Sequence, residues 1–143
     1  MFREIPEQIN SLSLILRKNL MEINKLTGEI IRAAIDVHKA LGPGLLESAY
    51  EECLCREFDL RGIPYERQKD IPLEYKGLRL NCSYRIDILV AARVILEIKA
   101  CETLQGIHKA QLLTYLKLMG LKIGLLINFN VPILKNGIKR IAN

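Results

Sequence analysis

The sequence predicts a single α/β domain, and three observations carry that reading. Two helical patterns follow one another before any strand signal, a β-rich stretch occupies the middle of the chain, and one further helix separates two strongly apolar strands. The chain has 143 residues, of which 50% are hydrophobic and 26% charged, enough to bury one real core and too apolar for a disordered chain.

The first helix is carried by Leu26, Ile30, Ala34, Val37 and Leu41, whose spacing of three or four puts them on one face, and Gly42-Pro43-Gly44 ends it. Residues 1–20 differ in character and read as an N-terminal extension, with Met21 as a candidate true start and 21–143 as the domain. A second helix is expected from Leu46 to Leu60, with Leu46, Ala49, Tyr50, Cys53 and Leu54 inward and Gly62 as its stop. From Ile63 onward the residues turn β-branched and aromatic, broken by Pro64, Pro72 and a turn at Lys76-Gly77. This predicts two or three short strands, then a stronger pair, Tyr84–Val90 and Val94–Ala100. Thr103 is placed to cap a third helix over Gln105–Met119, with Leu112, Leu113, Leu116 and Met119 facing the core, and Gly120 stops it. Leu121–Phe129 supplies the next strand, and the tail to Asn143 has room for one short edge strand.

The formal charge of +5 is uneven: Thr103–Asn143 holds six Lys or Arg and no acidic residue. Such a segment suits a phosphate-bearing partner, although a basic isoelectric point has many other origins and the aromatic interleaving of a single-strand stacking platform is missing. Cys53, Cys55, Cys82 and Cys101 contain no C-x-x-C pair, so they read as reduced, mostly buried thiols rather than a zinc site. No apolar run reaches the roughly 20 residues a membrane helix needs, and no export signal is visible. A soluble, cytoplasmic protein with no membrane partner is expected.

The chemistry concentrates in the strand pair. Strand periodicity groups Ile86, Ile88 and Val90 on one face and Val94, Leu96 and Ile98 on one face of the next strand. The two sets meet when Val90 pairs with Val94, Ile88 with Leu96 and Ile86 with Ile98, leaving Ala91–Arg93 as the loop. Asp87 then lies across from Glu97 on the other face, with Lys99 two residues on. Carboxylates on side chains whose Cβ atoms lie roughly 5 Å apart repel unless a cation sits between them, and Mg²⁺ is held by one or two carboxylates plus waters and phosphate oxygens. That grouping suits phosphodiester hydrolysis: Asp87 and Glu97 hold the metal, and Lys99 positions water or offsets transition-state charge. An ordinary salt-bridged strand face would use the same residue types.

Gly44-Leu45-Leu46-Glu47-Ser48-Ala49-Tyr50 is G-x-x-E-x-x-Y. With Asp87, Glu97-Ile98-Lys99 and the helix carrying Gln111 and Tyr115, it resembles the GxxExxY protein family, a branch similar to the PD-(D/E)XK nuclease superfamily. The resemblance runs from about Met21 to Ala142. It implies a restriction-endonuclease-like core of helix, three strands, helix and strand, preceded by an extra N-terminal helix. It further implies Mg²⁺ or Mn²⁺ as cofactor, with Glu47, Asp87 and Glu97 as metal ligands and Asp87, Glu97, Lys99 and Gln111 as catalytic residues. Gln111 and Tyr115 match a Q-x-x-x-Y pattern on the helix after the Glu-x-Lys strand, with Tyr115 positioning substrate. Some relatives in that branch bind an iron-sulfur cluster through cysteines after this helix; this chain lacks them, so no cluster is expected.

The residues alone leave other readings open. Glu47 in the first turn of a helix is explained by the helix dipole, and only the resemblance makes it a ligand. Tyr50 reads as core, and Gly42-Pro43-Gly44 as a turn rather than a phosphate loop. His38, beside an apolar face, is an additional candidate ligand or a structural histidine. The expected activity is metal-dependent cleavage of nucleic acid, DNA favoured over RNA, with a homodimer among the assemblies the sequence allows. The rivals are a catalytically silent nucleic-acid-binding or interaction module on the same fold, and a phosphohydrolase acting on nucleotides.

Overall fold

The computed structural model describes residues 7–81 and 84–143, with side chains from residue 11 onward. Cys82, expected as a buried thiol, lies outside the described residues. The elements are α1 (Glu7–Leu41), α2 (Glu47–Arg61), β1 (Tyr65–Ile71), β2 (Glu74–Tyr75), β3 (Leu78–Arg79), β4 (Tyr84–Val90), β5 (Val94–Lys99), α3 (Gly106–Met119), β6 (Ile123–Asn128) and β7 (Ile138–Ala142). A 3₁₀ turn (Leu134–Gly137) precedes β7. The main sheet runs β1-β4-β5-β6-β7, and β2 and β3 form a separate hairpin. Only β5 and β6 are parallel, because α3 crosses over between them; the other pairs are antiparallel. The result is the mixed α/β architecture of a restriction-endonuclease-like fold.

The sheet is covered on both faces. Ile30, Ala34 and Val37 of α1 and Tyr50, Leu54 and Phe58 of α2 pack with Ile88, Val90, Leu96 and Ile98. On the other face Leu112, Tyr115 and Leu116 of α3 pack with Ile71, Leu89, Ile95 and Leu126. Gly124 lets α3 approach β6, since a Cβ there would stand 2.8 Å from Leu112 Cδ1. With both faces covered, β5 and β6 are buried along nearly their whole length, which is why they read as continuous apolar runs.

Several sequence expectations change. Leu46 is 77% exposed, and α2 instead buries Tyr50, Glu51, Leu54, Cys55 and Phe58. On α3 the buried residues are Leu112, Tyr115 and Leu116, while Leu113 and Met119 are half-buried. The cap of α3 is Gln105 rather than Thr103; the Gln105 N–H donates to His108 Nδ1 at 3.1 Å. Ile86 packs with Ile71, Leu89 and Ile95 on the α3 side, not with Ile88 and Val90. The period of two is therefore interrupted at Asp87. α1 runs unbroken through residue 20, with its side chains exposed from Ser11 to Glu22 and partly or fully buried at several positions beyond. Cys55 is buried and Cys53 and Cys101 are half-buried, all three as free thiols. Among the described residues no helix is long and apolar enough to cross a membrane.

Candidate active site

The β4–β5 hairpin begins regularly. A tight turn with Ala91 at φ +50° and Ala92 at +54° joins the strands, and Val90↔Val94, Leu89↔Ile95 and Ile88↔Leu96 pair in register. Beyond Ile88 the ladder gives way to side-chain bonds. Ile98 N–H donates to Asp87 Oδ2 at 2.7 Å, and Asp87 N–H donates to Glu97 Oε1 at 3.2 Å. The two carboxylates thus replace backbone carbonyls where β4 and β5 part.

Burial makes this pair electrostatically tense. Glu97 is 5% exposed, and desolvation followed by the charge of Asp87 pushes its carboxyl from an ordinary 4.5 up to about 8. Desolvation also raises the Asp87 carboxyl, with Glu51 adding to the rise. Lys99, half-exposed at the end of β5, opposes both shifts with its positive charge.

Around the pair, α2 supplies a third carboxylate. Gly42 and Gly44 take positive φ, and the Tyr50 hydroxyl donates to the Gly42 carbonyl at 2.6 Å while accepting from Leu45 N–H at 3.1 Å. Tyr50 itself is stacked on Phe129, ring centroids 4.4 Å apart. The G-x-x-E-x-x-Y segment is therefore a pinned turn that starts α2 at Glu47. Glu47 Oε1 accepts the N–H of Ala100 at 3.3 Å, directly after Lys99. A cavity of about 190 Å³ is lined by Glu47, Ser48, Glu51, Gln68, Asp87 and Ile98.

On the opposite side, Gln111 Nε2 donates to the Tyr115 hydroxyl at 2.8 Å. Burial and then the Glu97 charge raise the Tyr115 phenol, which places α3's polar pair within the electrostatic reach of the carboxylates. A mainly apolar cavity of about 260 Å³ extends from there, with Tyr84, Gln111 and Tyr115 in its wall. His38 is engaged elsewhere. Its Nε2 lies 2.8 Å from the Val131 carbonyl oxygen, its ring lies against Phe129, and the residues lining the carboxylate cavity do not include it.

The sequence reading passed over four contributors. Asn128, 2% exposed, accepts from Cys101 N–H and donates to the Cys101 carbonyl, fixing the chain just past Lys99. Glu51 is buried beside the cavity and accepts from both Arg67 and Gln68 of β1. Glu51 had a legible signal: it stands four residues after Glu47, hence on the same helix face. Asn128 lies in the Leu126–Asn130 segment that takes part in the family resemblance, whereas Arg67 and Gln68 had no signal.

The donor set suits a hard divalent cation: paired carboxylates, one of them pushed up by its neighbour, with room for water. Among the described residues no three acidic, His or Cys side chains converge into a ready-made metal cage. Mg²⁺ needs only one or two carboxylates with waters, which the Asp87–Glu97 pair can provide.

A mixed sheet clad by helices thus carries acidic residues where its central antiparallel strands part, with a lysine beside them. Residues 24–141 match the family model described as the PD-(D/E)XK nuclease superfamily, and the chain belongs to that superfamily. Comparison with curated proteins and with solved structures finds no match.

Proposed function

We propose that this chain hydrolyses phosphodiester bonds of nucleic acid, DNA in preference to RNA, as a member of the GxxExxY branch. The observation that supports it best is the parting of β4 and β5, where Asp87 and Glu97 face one another with Lys99 alongside. Asp87 and Glu97 would hold Mg²⁺ or Mn²⁺ directly, and Glu47 through water. When bound, the metal supplies polarisation of the scissile phosphate and a lower pKa for the attacking water.

The protein's own groups do the rest. Lys99 offsets the negative charge that builds on the phosphoryl oxygens and orients the attacking water. Gln111 donates toward a phosphate oxygen or water, and Tyr115 holds the Gln111 amide in place. Tyr50 and Asn128 keep Glu47 and Lys99 at fixed positions by securing the turns beside them.

Labelled single-stranded and duplex DNA and RNA, incubated with protein in EDTA, Mg²⁺ or Mn²⁺, test the reading. Metal-dependent cutting that EDTA abolishes and Lys99→Ala suppresses supports it. Equal cutting by wild type and Lys99→Ala would trace the activity to a contaminant. Metal and nucleic acid binding without cutting would establish the silent binding module instead.

A further inference from the structure

Arg67 and Gln68 are consecutive on β1, and a regular strand would send their side chains to opposite faces. Both nevertheless reach the same carboxylate: Arg67 Nε donates to Glu51 Oε2 and Gln68 Nε2 to Glu51 Oε1, each at 2.7 Å. The reason is the backbone of Gln68, at φ +53° in the left-handed region. Glu51 is 6% exposed on α2, so the two bonds anchor this departure to the core.

The departure falls opposite Asp87. Across β1 and β4, Ala91 N–H donates to the Pro64 carbonyl at 2.8 Å. Hydrogen-bonded partners recur at every second residue of an antiparallel ladder, so in a continuous ladder the Asp87 N–H would face the Gln68 carbonyl. The ladder pairs Arg67 with Ile88 and Lys69 with Ile86, and skips the pair between them. Asp87 N–H goes instead to Glu97 Oε1. Ile86 and Ile88 also face different layers, so the strand turns over at this one residue.

We infer that Gln68 is a positioning residue: its left-handed backbone, locked by the Glu51–Arg67–Gln68 clamp, withdraws a carbonyl from Asp87 N–H and so lets that N–H hold the Glu97 carboxylate in the site. Its importance for catalysis rests on the nuclease reading; the geometry does not. Glu51 acts through Gln68 and has no need to touch metal or substrate.

The test separates backbone from side chain. Gln68→Gly loses the amide but takes a positive φ freely, whereas Gln68→Val disfavours it and favours a regular strand. In ¹H–¹⁵N spectra of the full chain, adding Glu97→Gln should shift the Asp87 amide resonance strongly in wild type and in Gln68→Gly, and leave it unmoved in Gln68→Val. Calorimetry with Mn²⁺ should show affinity falling about tenfold or more for Gln68→Val, the range for supporting residues around a metal, and far less for Gln68→Gly. If Gln68→Val does not fold, Gln68→Ala, which also resists a positive φ, replaces it. Equal behaviour of the glycine and β-branched or alanine variants overturns the inference. A wild type that binds no Mn²⁺ overturns the nuclease reading, and the Asp87 amide comparison still decides this one.

Discussion

The two ends of the β4–β5 hairpin are built from the same strands and do opposite things. At the turn, Val90 and Val94 are fully buried, pair backbone to backbone and carry only side chains that pack. Ten residues of sequence separate Asp87 from Glu97 at the other end, where backbone bonds are exchanged for carboxylate bonds and one acid is pushed up to about 8. The regular end fixes the register, and register is what aims the irregular end. A site that must keep two acids together in a low-dielectric setting relies on a stretch of sheet that does no chemistry.

Perturbing each end should therefore have separable results. The largest effect is expected at the parted end: Glu97→Ala should abolish both Mn²⁺ binding, by calorimetry, and cleavage. Lys99→Ala removes no metal ligand and should keep Mn²⁺ affinity equal or slightly higher while cleavage falls by on the order of a hundredfold or more.

Next comes pH. Because the folded Glu97 carboxyl lies at about 8 against an ordinary 4.5, the native state binds the extra proton between those values. Metal-free stability should then fall as pH rises through that window, by up to about 1.4 kcal/mol per pH unit, and Glu97→Gln should flatten the slope. Denaturant melts from pH 5 to 9 would contradict this if wild type gained stability toward pH 8. The same linkage predicts that loading a divalent cation at neutral pH releases protons, measurable in buffers of different ionisation enthalpy.

At the regular end, Val94→Ala should lower stability by about 2 kcal/mol through lost burial, while Mn²⁺ affinity per folded molecule changes little. A large affinity loss would show that the two ends are not separable. The smallest effect is expected at the turn: Ala92 is exposed at a positive φ, and Ala92→Gly should raise stability by about 0.5 kcal/mol, read as a shift of a degree or two in thermal midpoint.

The same contrast explains what was legible. Register at Val90↔Val94 and Ile88↔Leu96 and the Ala91–Arg93 loop follow from alternation, because apolar faces must meet, whereas the expected Ile86–Ile98 pair is missing from that ladder. Alternation then failed at Ile86, since it assumes a continuous strand and the strand turns over at Asp87. No residue pattern announces that Gln68 adopts a left-handed φ, or that Arg67 and Gln68 converge on Glu51. His38, open between ligand and structural residue, and Leu46, expected inward, were hard to place for a different reason. Helical spacing names a face, but only the packed neighbours decide whether that face meets Val131 and Phe129 or solvent.

The distances along the chain that separate the three acids bear on how the molecule forms. Asp87 and Glu97 are brought together by closing one short hairpin, whereas Glu47 reaches Ala100 across 53 residues. Loop-closure entropy rises with the length closed, so the hairpin can assemble before α2 docks. Folding φ-values are accordingly expected to be high for Val94 and low for Tyr50, the reverse order ruling the sequence out. The pair of acids would then be in place, side by side and still open to water, while the helix that closes their cavity has yet to arrive.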